Sequence, residues 1–80
     1  MTAEEMFETL GYKMCVYSDT AFGYELNDGD AVKTIAFGLD DKNIEIETYS
    51  CNEILTTDID LQELAAINKQ VEELNNDGEW

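Results

Sequence analysis

Nineteen of the chain's eighty residues are Asp or Glu, and none is His. The side chain most often poised as a base near neutral pH is therefore missing. Paired carboxylates can cleave a glycosidic bond, but at this density of acid such pairs occur at every spacing and none stands out. Cys15 and Cys51 are the possible nucleophiles, and neither has an obvious activating partner in sequence. Two thiolates can begin a zinc site, yet no C-x-x-C pair and no His completes one. Asp28-Gly29-Asp30 and Asp58-Ile59-Asp60 look like fragments of calcium loops. An EF-hand needs ligands at positions 1, 3, 5 and 12 with Gly at 6 between two helices, and neither stretch meets that requirement. Asp28 and Asp30 suit a turn, and Asp60 a helix cap. No catalytic residue, cofactor or metal site is expected, so the residues point to binding without catalysis.

The acids face four lysines (Lys13, Lys33, Lys42 and Lys69) and no arginine, for a net charge of −15. Phosphate contacts need Lys or Arg, so direct binding of nucleic acid or an anionic membrane is excluded. Where electrostatics guides the encounter, the partner is a basic surface. The same charge serves solubility and favours a monomer, and that plainer role alone would also account for it.

Glu45 and Glu47 stand two apart in a stretch that alternates like a strand, which puts them on one face about 6.8 Å apart. That separation is close to two axial phosphate steps of about 3.4 Å along one DNA strand. Glu25 is expected to join them from a neighbouring strand. Asp40, Asp41, Glu72, Glu73, Asp77 and Glu79 extend the negative field. Glu45, Glu47, Asp40, Asp41, Glu72 and Glu73 are the candidate partner-binding residues. The alternative for Glu45 and Glu47 is that they only keep one sheet face wet.

The elements that must carry these residues are marked by caps and periodicity. Thr2 with Glu5 three residues on forms a capping box, Ala3, Met6, Phe7 and Leu10 make an apolar stripe, and Gly11 stops the helix. Lys13 to Ser18 reads as a strand, followed by a turn at Ser18-Asp19-Thr20. Phe22, Tyr24 and Leu26 alternate with Gly23, Glu25 and Asn27, and Asn27-Asp28-Gly29-Asp30 is a hairpin turn. A third strand runs from Ala31 to Leu39, with Lys33, Ile35, Phe37 and Leu39 on one face. After a turn at Asp40-Asp41-Lys42-Asn43, the fourth strand places Ile44 and Ile46 inward. Ser50 to Thr57 is open to two readings: Ile54-Leu55-Thr56 is either a short strand end or a loop. Asp60 and Glu63 form a second capping box. Leu61, Leu64, Ile67 or Asn68, Val71 and Leu74 give the expected apolar face of the second helix. It ends at Asn75-Asn76-Asp77-Gly78, and Trp80 is expected to fold back. The order α-β-β-β-β-α predicts an α+β fold, an antiparallel four-stranded sheet with two helices packed on one face.

Residues 1–80 read as a single domain, without proline, repeat or linker. A chain this size buries only about 60% of the surface it exposes when unfolded, so the core is thin. No apolar run of about 18 residues exists to span a membrane. The opening Met1-Thr2-Ala3-Glu4-Glu5 carries acid where a signal peptide carries Lys or Arg, so a cytoplasmic location is expected. There the cysteines are expected to be free thiols, buried as small hydrophobes; a shared metal site is the alternative.

Residues Thr2 to Lys13 resemble the start of small acidic proteins encoded by phages and prophages of Gram-positive bacteria, and Leu61 to Leu74 resemble their ending. Those proteins often close with Gly-Trp directly after the last helix. Here Asn75-Asn76-Asp77 intervenes and Glu79 separates Gly78 from Trp80. The resemblance covers the two ends, about a third of the chain, and carries over no catalytic residue. It implies a mobile-element setting, where small acidic proteins are often inhibitors of host defence, anti-CRISPR proteins among them. The expected partner is then a basic surface of a nucleic-acid-handling protein, a CRISPR effector above all, in the host cytoplasm, with the chain acting as a DNA mimic. The competing expectation is a non-enzymatic phage accessory or scaffolding module. It would bind through an apolar patch anchored by Tyr12, Tyr17, Tyr24, Tyr49 or Trp80.

Overall fold

A computed structural model describes residues 1–50, 54–55 and 58–80. Helix α1 spans Ala3–Thr9, strands β1 to β5 span Lys13–Ser18, Ala21–Asp28, Ala31–Gly38, Asn43–Ser50 and Ile54–Leu55, and helix α2 spans Leu61–Asn76. The strands form one antiparallel meander in the order β1-β2-β3-β4-β5. The α+β architecture with its four long strands is as the sequence predicts. The ambiguous segment adds a fifth, two-residue strand, with Ile54 opposite Tyr49 and Leu55 opposite Thr48. Thr56 and Cys51 lie outside the described residues. Among the described residues no helix is long and apolar enough to cross a membrane.

Local chemistry explains each boundary. Both capping boxes form: Thr2 Oγ1 accepts from Glu5 N at 3.2 Å, and Asp60 Oδ1 accepts from Glu63 N at 2.7 Å. Gly11 and Gly78 follow the two helix ends at φ +97° and +81°, a region that only glycine enters without strain. The β2–β3 hairpin closes on Gly29 and Asp30 with Gly29 at φ +66°. Positive φ at the first central position alone is the pattern of a type II′ turn, whose twist suits a hairpin.

Period-two alternation then splits the sheet into two faces. Tyr24, Ile35 and Phe37 point towards the helices and join Phe7, Tyr12, Ala66, Ile67 and Leu74 in the core. Phe7 stacks on Tyr24 with ring centroids 4.0 Å apart. Trp80 folds back as expected: its Nε1 donates to Gly38 O at 3.1 Å, and its ring lies 6.2 Å from that of Phe37.

Helix α2 buries Ile67 and Leu74 as expected, and Val71 packs against the core, but the rest of the expected apolar face is turned outward. Leu61 is 82% exposed and Leu64 40%, while Glu63, Ala66, Ile67, Gln70 and Leu74 are buried. The helix is rotated because two polar side chains on the inner face find strong partners. Glu63 accepts from the Tyr12 hydroxyl and pairs with Lys33 Nζ at 2.8 Å, and Gln70 Oε1 accepts from the Tyr24 hydroxyl at 2.5 Å. Hydrophobic periodicity alone is blind to such pairings, which make burial of a polar group tolerable.

Candidate functional site

The helices pack on one face of the sheet and, among the described residues, the other face is bare. Its outward side chains include Lys13, Cys15 and Tyr17 from β1, Glu25 opposite Lys13 on β2, Thr34 and Ala36 from β3, and Glu45, Glu47 and Tyr49 from β4. Tyr17, Glu25, Thr34, Ala36, Glu45, Glu47 and Tyr49 line a shallow depression of about 300 Å³. Register fixes the layout: Glu25 is opposite Thr34 and Thr34 opposite Glu47, so one row carries two carboxylates across three strands. With strands about 4.8 Å apart, Glu25 and Glu47 are anchored roughly 10 Å from one another, and Glu45 lies about 7 Å along the strand from Glu47. In water, charges at such distances repel by only about 0.5 kcal/mol per pair, so the face tolerates them.

Asp40 and Asp41 belong to the same surface. They lie in the β3–β4 turn and, with Thr20, Asn43 and Glu45, line an adjoining depression of about 320 Å³. Glu45 borders both hollows, so Asp40, Asp41, Glu45 and Glu47 form one continuous acidic strip. Lys42, at φ 55°, holds a backbone conformation rare for a residue with a side chain and turns the chain tightly beside it.

Glu72 and Glu73 do not join the strip. They are on α2, across the sheet from it. Glu72 lies 3.7 Å from Lys69, and Glu73 accepts a hydrogen bond from Ala3 N at 2.8 Å, which ties the start of α1 to α2.

Aromatic side chains flank the acids. Tyr17 is 45% exposed and Tyr49 41%. The Tyr17 ring sits over Gly23, where an added Cβ would come within 3.0 Å of its Cε2. Burial and then the nearby Glu25 carboxylate push the Tyr17 hydroxyl up to about 12, so it stays protonated. Cys15 Sγ donates to Glu25 Oε2 at 3.1 Å, and this bond, with burial, raises the thiol above its ordinary value. A thiol shifted that way is a poor nucleophile at neutral pH. The Cys15–Cys51 pairing considered for a metal cannot be placed, because Cys51 lies outside the described residues. Among the described residues, no three His, Cys, Asp or Glu side chains converge as metal ligands would.

Tyr12 and Tyr24 are core residues with their hydroxyls bonded inward, so they are not surface anchors. Sequence reasoning missed that Tyr17, Tyr49 and the acids share a face. Parity along β4 already carried that signal, since Glu45, Glu47 and Tyr49 are two apart. No protein family, curated protein or solved structure matches this chain.

Proposed function

We propose that the helix-free sheet face is a docking surface for a basic patch on another protein, and that the chain acts as a non-catalytic acidic inhibitor. In this reading it occupies a site that its target keeps for nucleic acid, as a phage-borne antagonist of a bacterial defence protein would, a CRISPR effector being the leading target. The observation that carries the reading is the strip of Asp40, Asp41, Glu45 and Glu47 joined by Glu25 on one uncovered face. Carboxylates set at strand spacing match a surface built for a regularly spaced polyanion. Complementary charge supplies orientation and a fast on-rate.

The test is capture of host proteins by the tagged chain at low salt, followed by elution with salt and competition with single-stranded and duplex DNA. A nucleic-acid-binding protein released by both treatments supports the reading. A partner that resists about 0.5 M salt, where the Debye length falls below roughly 5 Å, and ignores DNA overturns it.

A second reading, an accessory or scaffolding module, draws on Tyr17 and Tyr49, whose exposure on the same face suits interface anchors. It requires Tyr17→Ala and Tyr49→Ala to abolish capture while charge reversal at Glu45 and Glu47 leaves it intact.

A further inference from the structure

Strand β1 is one edge of the sheet, and among the described residues its only strand neighbour is β2. Half of an edge strand's N–H and C=O groups point away from the sheet and are free to pair with another strand. The helices cover this edge poorly. Met14 and Val16 are opposite Tyr24 and Phe22, hence on the helix side, yet they are 45% and 75% exposed. Between α1 and β1 runs an open groove of about 550 Å³, lined by Glu4, Glu8, Gly11, Tyr12, Lys13 and Met14. Among the described residues the edge thus combines backbone groups with no strand opposite them, two apolar side chains, and two carboxylates from α1 that outnumber the single Lys13 cation of the groove.

Resting on the basic-partner reading above, we propose that β1 receives an extended, lysine- or arginine-bearing segment of the partner as an added strand. Its backbone pairs along Lys13–Val16, its aliphatic stems cover Met14 and Val16, and its cationic ends reach Glu4 and Glu8. The irregularity between Val16 and Ser18 ends the regular ladder, so the pairing window is short. Charge selects the occupant. A second copy of this chain would bring another −15 to the same edge, whereas a basic segment meets Glu4 and Glu8 with opposite sign. Strand addition supplies affinity through the backbone and specificity through alternate side chains.

The test titrates a capped octapeptide of alternating Lys and Val into the ¹⁵N-labelled full chain at low salt. Expected are shifts and slowed hydrogen exchange at the amides of Met14, Cys15 and Val16. N-methylation of alternate peptide residues should weaken binding about ten-fold or more, because it removes ladder donors. Val16→Lys should weaken it about ten-fold or more by placing a like charge on the edge. Leu61→Lys changes the net charge equally at an exposed position on α2 and should leave binding unchanged. If shifts are confined to Glu25, Glu45 and Glu47, or the N-methylated peptide binds equally well, the edge inference falls while the basic-partner reading stands. Absence of any shift with the peptide overturns both.

Discussion

Glu63 on α2 and Lys33 on β3 form an ion pair at 2.8 Å beneath the helix layer, with both side chains mostly shielded from water. Three groups hold the carboxylate: the Lys33 ammonium, the Tyr12 hydroxyl and the Asp60 N–H, the last at 2.9 Å. Burial opposes ionisation of Glu63, but these donors outweigh it and hold its carboxyl below the ordinary value of 4.5. Lys33 Nζ also donates to the Asp58 carbonyl, so the pair anchors the approach to α2.

Replacing Glu63 by Ala should therefore destabilise the domain by about 2–4 kcal/mol, because a largely buried ammonium is left unpaired. Lys33→Met/Glu63→Leu should recover much of that loss. Urea unfolding of the single and double variants measures both effects.

The same pair predicts a pH dependence of definite sign. A carboxyl whose folded pKa is depressed contributes stability that is present above its unfolded pKa and lost as pH falls through the folded one. The stability gap between the native chain and Glu63→Gln should hence be full at pH 7 and narrow below about pH 4.5. Taking the difference between the two proteins cancels the background change from the other acids. A gap that widens on acidification contradicts the assignment.

Gln70 and Tyr24 form a second inner polar pair. Gln70→Ala strands the Tyr24 hydroxyl in the core and should cost about 1–3 kcal/mol. Removing both partners with Tyr24→Phe/Gln70→Leu should be close to neutral. Thermal melts of the three variants give the coupling.

Gly23 is a steric requirement. A Cβ there would run into the Ile35 carbonyl oxygen and sit 2.8 Å from Ala36 Cα on the neighbouring strand. Gly23→Ala should lower stability by about 2 kcal/mol or more, since the obstruction is backbone and the sheet must part to admit a methyl. Circular dichroism with denaturant titration reads this directly.

Charge reversal separates the acidic strip from net charge. Glu45→Lys/Glu47→Lys should abolish salt-sensitive partner capture and change stability by no more than about 0.5 kcal/mol. Glu72→Lys/Glu79→Lys makes the same change in net charge away from the strip and should leave capture unaltered. Equal loss in both variants would mean that overall charge, and no particular face, governs binding.

Much of this architecture was legible in the residues. The two capping boxes, the glycines after each helix and the alternation of Phe22-Tyr24-Leu26 against Glu25 and Asn27 are local signals, and local physics decides them. Glu45 and Glu47 were placed correctly because a period of two leaves no choice of face. The inner side of α2 was legible only in part: Ile67 and Leu74 are buried as expected, whereas the burial of Glu63 and Gln70 was not foreseen. Whether Leu64 or Glu63 is buried depends on Lys33 thirty residues away and on Tyr12 fifty-one residues away, which helical periodicity cannot see. Glu73 likewise reads as surface acid until its bond to Ala3 N is known. Sequence named six acids as candidate partner-binding residues; tertiary structure groups four of them and separates Glu72 and Glu73.

The bond from Ala3 N to Glu73 joins residues seventy positions apart. Every strand pairing in the sheet, by contrast, joins neighbours in sequence, so the meander can zip from its turns at small entropic cost. Helix α1 has only seven residues, too few to persist alone in water. Its tie to Glu73 can form only once α2 is in place, so the docking of α1 is completed late relative to the hairpins. Pulse-labelled hydrogen exchange during refolding should accordingly find the Met6 and Phe7 amides protected in step with those of α2, after the β2–β3 hairpin.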